Sequence, residues 1–454
     1  MIRLVGHLAL VVVMLAFATP ARADSGATAG ADGGIVEVIS PGGIRAWLRQ
    51  DSSIPLLAIN FRFSGGGSII AAEKAGTAVL AARMLSEGAG EWDGEQFRQA
   101  LADNAIGLGF QAGRDTFSGS LTTLTANRDL AVQLLQATLT TPRMADTALR
   151  QQKSRLITSR RRSETRPNSI AFRNWFQTAY GDHPYSRSIN GTPETVASVE
   201  LPDITGFLAK VLTRNGLVIG VAGDIDPAAL GELLDRAFGE LPDHAPPADL
   251  ATAPTPAGGL NVIPHPSQQS VVVFGHAGIA REDPDWYAAV VITQILGGST
   301  FTSRLGAEVR EKRGLAYGIG ANLSPYRAGS ILLGRTATRN DAVAETLQII
   351  GEEWQRMADQ GPTAAELDEA KTYLMGSFPL SLDSTGAIAS VLVQMQVYGL
   401  GQDYWTTRAA YYQAVDLATA QRVARRILQP QSLLQVVVGM PEKLTQATPA
   451  KITQ

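Results

Sequence analysis

The 454-residue chain has no cysteine. Disulfides, thiolate nucleophiles and cysteine-built metal centres are therefore excluded, and the fold must rest on its apolar core. Histidine is nearly as scarce: five in all, one of them (His7) inside the first apolar stretch. The others, His183, His244, His265 and His276, form no pair at the i, i+4 spacing that sets two imidazoles on one helical face. Charge is modest too, at 18% of residues and a formal net charge of −3, so no general attraction to nucleic acid is implied. Beyond the N-terminus no apolar run reaches the ~18 residues of a membrane span. What remains is an ordinary globular composition, 45% hydrophobic, long enough for two or three domains.

The first residues read as an export signal. Arg3 supplies the positive start, His7 to Thr19 the apolar stretch, and Ala21-Arg22-Ala23 a small-x-small cleavage site before Asp24. Residues 1–23 are expected to be a signal peptide, the mature protein exported, to the periplasm if the source is Gram-negative, with no membrane span after cleavage.

The mature chain reads as two similar blocks, 34–243 and 260–441, joined by a Pro/Ala-rich linker at 244–259 and followed by a tail at 442–454. Leu56–Phe63, a strand ending at a glycine cluster, parallels Ser270–Gly275. An alanine-rich helix follows each, near Ala75–Leu85 and Trp286–Leu296. Thr147–Leu156 recurs as Ala365–Leu374, and a closing strand at Leu217–Gly223 recurs as Leu434–Gly439. Equivalents stay roughly 210–220 residues apart, the mark of a duplication. The expected fold is α+β: two duplicated domains, each a mainly antiparallel sheet packed with helices.

The stretch Ser303-Arg-Leu-Gly-Ala-Glu-Val-Arg-Glu-Lys-Arg-Gly-Leu-Ala-Tyr317 resembles a run in the second domain of the pitrilysin/insulinase metallopeptidases, in the branch with mitochondrial processing peptidase. His183-Pro184 with Gly191, Thr192 and Glu194, and the Thr363–Lys371 stretch, support the resemblance, which spans nearly the whole mature chain. Active members carry an inverted H-x-x-E-H motif in the first domain and a glutamate ligand about 76 residues beyond it. On this chain the resemblance puts Val79 and Arg83 at the histidines, Ala82 at the general base, and Ser159 at or beside the third ligand. No acid lies between Asp146 and Glu164 to replace it. Valine and alanine have no lone pair for a metal, and a guanidinium repels one. No cofactor is therefore expected in this chain.

Arg310 and Tyr317 match the positions that, in the family, reach a bound peptide from the second domain; arginine and a phenol are both donors suited to carbonyl oxygen. Gly297-Gly298 sits where the noncatalytic processing subunit carries a substrate-handling glycine loop, but the loop here is short and reads first as a plain helix-ending turn. Arg83 is expected either to pair with Glu87 or Glu164 or to stay at the surface. The basic run Arg150, Lys153, Arg155, Arg160, Arg161, Arg162 reads as a solvated helix face or a docking patch. The resemblance implies a noncatalytic subunit of a heterodimeric exported zinc endopeptidase. The partner, an exported paralogue with H-x-x-E-H, would hold the zinc, and the substrate would be a peptide or unfolded polypeptide. The alternative is a peptide-binding or structural homodimer with no peptidase activity.

Overall fold

The computed structural model describes residues 34–444; the signal segment and most of the tail lie outside them. The fold is mixed α and β, with two sheets. The first holds β1 (Val36–Ile39), β2 (Arg45–Gln50), β3 (Leu56–Ser64), β4 (Gly107–Ala112), β5 (Thr116–Leu124) and β6 (Val218–Gly223), in the order β1-β2-β6-β3-β5-β4. The second holds β7 (Gly259–Pro264), β8 (Gln269–Ala277), β9 (Ala316–Ser324), β10 (Ile331–Arg339) and β11 (Leu434–Gly439), in the order β7-β11-β8-β10-β9.

Remove β1 and the two orders coincide. β2 runs parallel to β6 as β7 does to β11, and the remaining pairs are antiparallel. The duplication extends to single side chains. Lys153, in the helix Asp146–Glu164, donates to the carbonyls of Ala197 and Val199 at 2.6 and 2.8 Å. Lys371, at the equivalent place in the helix Ala364–Ser377, donates to Gln413 and Val415, both at 2.9 Å. Each lysine fills the open carbonyls of a neighbouring turn.

The sequence blocks exchange one helix each. Pro167–Tyr180, from the first block, lies on the second sheet, where Ile170, Trp175 and Tyr180 join one core with Val273, Val436 and Val438. The Trp175 indole N–H donates to the Leu434 carbonyl at 3.1 Å. Thr385–Val397, from the second block, covers the first sheet through Ala389 against Ala58 and Ala222. Asn60 on β3 holds it by donating to the Gly386 carbonyl at 2.9 Å and to the Ser390 hydroxyl at 2.7 Å. Each sheet is thus covered on one face by helices of its own block and on the other by a helix of the opposite block. No helix among the described residues is long and apolar enough to cross a membrane.

Candidate functional site

Val79, Ala82 and Arg83 lie on the helix Thr77–Met84, with Ala82 buried and the other two half-buried. Ser159 is exposed on the facing helix Asp146–Glu164. A zinc ion would meet two aliphatic side chains, a hydroxyl and a fixed positive charge, so the donor set does not fit the metal. Among the described residues no cluster of three His, Asp or Glu side chains is placed to hold one.

Arg83 does not pair with Glu87 or Glu164. The helix ends at Met84, so Glu87 lies beyond the last turn and the i, i+4 geometry is lost. Glu87 instead accepts from Gln152 Nε2 at 2.6 Å and faces Arg98 at 3.7 Å. The charge that acts on Arg83 is another cation: burial, and then Arg155, lower its guanidinium pKa from the ordinary value.

Arg310 and Tyr317 come together. Arg310 sits near the end of a loosely wound segment, Gly306–Glu311, in which the Lys312 N–H reaches back five residues to the Ala307 carbonyl at 3.0 Å. Gly314, at φ +60°, turns the chain, and Tyr317 is the second residue of β9. The guanidinium carbon of Arg310 lies 5.4 Å from the Tyr317 ring centre and 4.1 Å from that of Phe301. Tyr317 is 91% exposed and Phe301 61% exposed, so two open aromatic faces flank the cation. The sequence reading did not single out Phe301; a lone phenylalanine in a Ser/Thr-rich loop carries no signal that it will turn outward.

Tyr317 opens onto a groove of about 540 Å³ lined by Gly297, Gly298, Thr300, Asn322 and Arg335. β9 is the sheet's outer strand, so one row of its backbone N–H and C=O groups has no strand partner. Gly297 is buried against this strand: a Cβ there would lie 2.8 Å from the Ala321 nitrogen. Its smallness is therefore used within the fold, and Gly298 is the exposed member of the pair.

The two stretches of the second block that carry the family resemblance are joined directly. Arg304 forks onto Glu366, Nε to Oε1 at 2.6 Å and Nη2 to Oε2 at 2.8 Å, linking the Ser303–Tyr317 run to the start of the Ala364–Ser377 helix. Burial alone would raise the Glu366 carboxyl, but the Arg304 fork and the Thr363 N–H outweigh it and hold it down at about 2.

A second concavity, about 530 Å³, lies between the blocks and went unforeseen in the sequence. Its polar groups are largely used in joining the halves. Asp115 accepts from the Tyr185 hydroxyl at 2.5 Å, the Arg327 N–H at 3.2 Å and the Ser68 hydroxyl at 3.1 Å. Arg114 stacks on Phe176, Tyr185 and Tyr326. Burial, and then the bond to Asp115, push the Tyr185 hydroxyl pKa up, so it stays protonated and donating.

Comparison with known proteins gives a consistent result. Residues 63–193 match the family described as Insulinase (Peptidase family M16), and residues 198–374 match the Peptidase M16 inactive domain. The "Non-peptidase homolog YmxG" of Helicobacter pylori is 28% identical over 336 residues, 73% of this chain and 77% of that protein. An uncharacterized zinc protease of Streptomyces coelicolor is 29% identical over 273 residues, 59% of each chain. The crystal structure of a peptidase M16 inactive domain from Pseudomonas fluorescens superposes with a TM-score of 0.85 at 25% identity, covering 92% of this chain and all of that one.

Proposed function

The chain belongs to the insulinase (M16) peptidase family, and from that premise we propose that it is the noncatalytic, substrate-positioning subunit of an exported two-subunit zinc endopeptidase. The partner is an exported paralogue carrying H-x-x-E-H, and the zinc belongs to it. One observation carries the reading: the positions for metal donors are aliphatic, cationic or hydroxylic, while Arg310 and Tyr317 stand stacked and open beside a groove. A buried packing role would leave the tyrosine covered, and it is 91% exposed.

Arg310 and Tyr317 donate hydrogen bonds to a peptide laid against the edge of β9, near the carbonyl to be cut. Phe301 and Tyr317 hold the guanidinium in position between their rings. Export rests on residues 1–23, which lie outside the described structure.

The purified chain is expected to hydrolyse no peptide and to retain no stoichiometric zinc after chelator washing; adding the H-x-x-E-H paralogue restores cleavage. In that complex Tyr317→Phe, which keeps the stack and removes only the hydroxyl, lowers kcat about 10²-fold, as does Arg310→Ala. Full turnover in both variants would sink the assigned roles. A second reading, a peptide-binding or structural homodimer, draws support from the Helicobacter relative's name as a non-peptidase homologue. Co-purification from the cell envelope separates the two: a recovered paralogue favours the first, and a self-associated chain alone favours the second.

A further inference from the structure

Near the groove beside Tyr317 is a second hollow, and arginines stand in or beside both. The hollow, about 380 Å³, is lined by Arg155, Arg162 and Arg166 with the hydroxyls of Ser154, Thr158, Ser159 and Ser163. Arg166 borders this hollow, and Asn168, two residues on, lines the Tyr317 groove, so the two adjoin at the start of the helix Pro167–Tyr180. Neither lining contains an aspartate or a glutamate. Arg335 adds a charge inside the groove, Arg310 stands at its rim, and Arg83 lies beside Arg155.

In a protein of net charge −3 this imbalance is local and pronounced. Elsewhere arginines are widely paired, as in Arg422 and Arg426 with Asp285 and Asp283. Among the described residues, none of these six cations lies within 4 Å of a carboxylate. The closest acids on the same elements are Glu164, which faces Arg160, and Glu311, exposed next to Arg310.

We propose that groove and hollow form one site for an extended acidic peptide, whose backbone runs from the edge of β9 across β10 toward Asn168 and whose carboxylates lie on Arg335, Arg155, Arg162 and Arg166. The arginines remain charged at every working pH, and each presents a planar fork that matches a carboxylate. The hydroxyls around Ser159 donate to the same groups. The position that holds a metal ligand in active relatives thus belongs here to an anion-binding surface. This names the substrate class of the function proposed above and rests on that reading for cleavage, though not for binding.

The test uses the purified full chain and fluorescein-labelled ten-residue peptides: one rich in Asp and Glu, the same peptide with those residues changed to Asn and Gln, and a lysine-rich one. Anisotropy titrations are expected to show saturable binding of the acidic peptide, at least tenfold tighter than the other two, weakening as salt rises. The triple variant Arg155→Gln, Arg162→Gln, Arg166→Gln loses about tenfold in affinity, since each exposed pair is worth up to about fivefold. Arg335→Gln loses less, and Arg425→Gln, on an exposed face away from both hollows, loses nothing. Circular dichroism melts confirm that the variants fold. Equal affinity for all three peptides, wild-type binding by the triple variant, or an equal loss with Arg425→Gln would each overturn the proposal.

Adding the paralogue separates this idea from the one beneath it. Arginine-dependent binding without cleavage keeps the acidic site and removes the peptidase role. Cleavage that depends on Tyr317 but is indifferent to peptide charge does the reverse.

Discussion

The two sheets solve the same packing problem at the same place, then part company one step along the strand. In the first, Phe61 on β3 lies over Gly119 of β5; in the second, Phe274 on β8 lies over Gly334 of β10. A Cβ on Gly119 would come within 2.2 Å of the Phe61 ring, and one on Gly334 within 2.4 Å of the Phe274 ring. A large ring is seated on a bare backbone in both, and neither member can change alone. Two residues on, on the same face, the first sheet has Phe63 and the second has His276, both fully buried. Core contacts that set the spacing of strands were thus held in both halves. Positions that tolerate a polar side chain, if its hydrogen bonds are met, were free to diverge. The positions that the family resemblance gives to metal donors carry aliphatic, cationic and hydroxyl side chains in the first half, whereas Tyr317 of the second stays open to solvent.

The exchanged helices sharpen this contrast. Pro167–Tyr180 is anchored by volume: Trp175 is fully buried, stacks edge-on with Phe176 and Tyr180, and satisfies the Leu434 carbonyl. Trp175→Ala is therefore expected to lower stability by about 3–5 kcal/mol, the scale for emptying a core tryptophan site, and urea unfolding measures it. Thr385–Val397 is anchored by closeness: a Cβ on Gly220 would lie 2.4 Å from the Ala389 carbonyl oxygen, and Ala58, Ala222 and Ala389 leave no room between helix and sheet. Here enlargement does the damage. Ala389→Leu is expected to cost about 1–3 kcal/mol by overpacking, whereas Ile388→Ala, at a half-buried neighbour, costs less. A harmless Ala389→Leu, or a Trp175→Ala variant as stable as wild type, would break the distinction between the two anchors.

The repeat was readable because apolar strands and the Lys153 and Lys371 helices return at one interval; such patterns depend only on local chemistry. The exchange was not. An amphipathic pattern says that one face of a helix is buried, but not against which sheet, and Pro167–Tyr180 could equally have covered its own. That Val79 and Ala82 offer a metal no donor needed no folding at all, since neither side chain has a lone pair in any conformation. Arg310 and Tyr317, seven residues apart across a loosely wound turn, have no spacing rule that joins them; the resemblance to a family suggested the pair, and the structure stacks them. The pairing of Arg83 with Glu87 failed for a plain reason, the helix ending one residue after Arg83. The junction of Asp115, Tyr185 and Arg327 was invisible because its members are distant in sequence and carry no motif.

His276 offers the finest test of how the halves differ. Both ring nitrogens are engaged in the neutral form: Nε2 accepts from the Trp354 indole N–H at 2.8 Å, and Nδ1 donates to the Ala277 carbonyl at 2.7 Å. Protonation would set a second N–H against the indole donor inside an apolar core. Burial accordingly holds the His276 pKa below the ordinary 6.5, with the Ala277 bond opposing it. The sign follows from linkage: below pH 6.5 the unfolded chain takes up a proton that the folded chain refuses, so the stability tied to this group is full above about 6.5 and falls as the solution is acidified. The loss is about 1.4 kcal/mol per pH unit between 6.5 and the depressed folded-state value. Phe63, at the matching place in the first sheet, has no such dependence. His276→Phe should therefore reduce the difference in unfolding free energy between pH 7.5 and 5.5 by up to about 1.4 kcal/mol, whatever it does to stability at pH 7.5, where Trp354 loses its acceptor. An undiminished acid dependence in that variant would place the titrating group elsewhere and remove the distinction between the two cores.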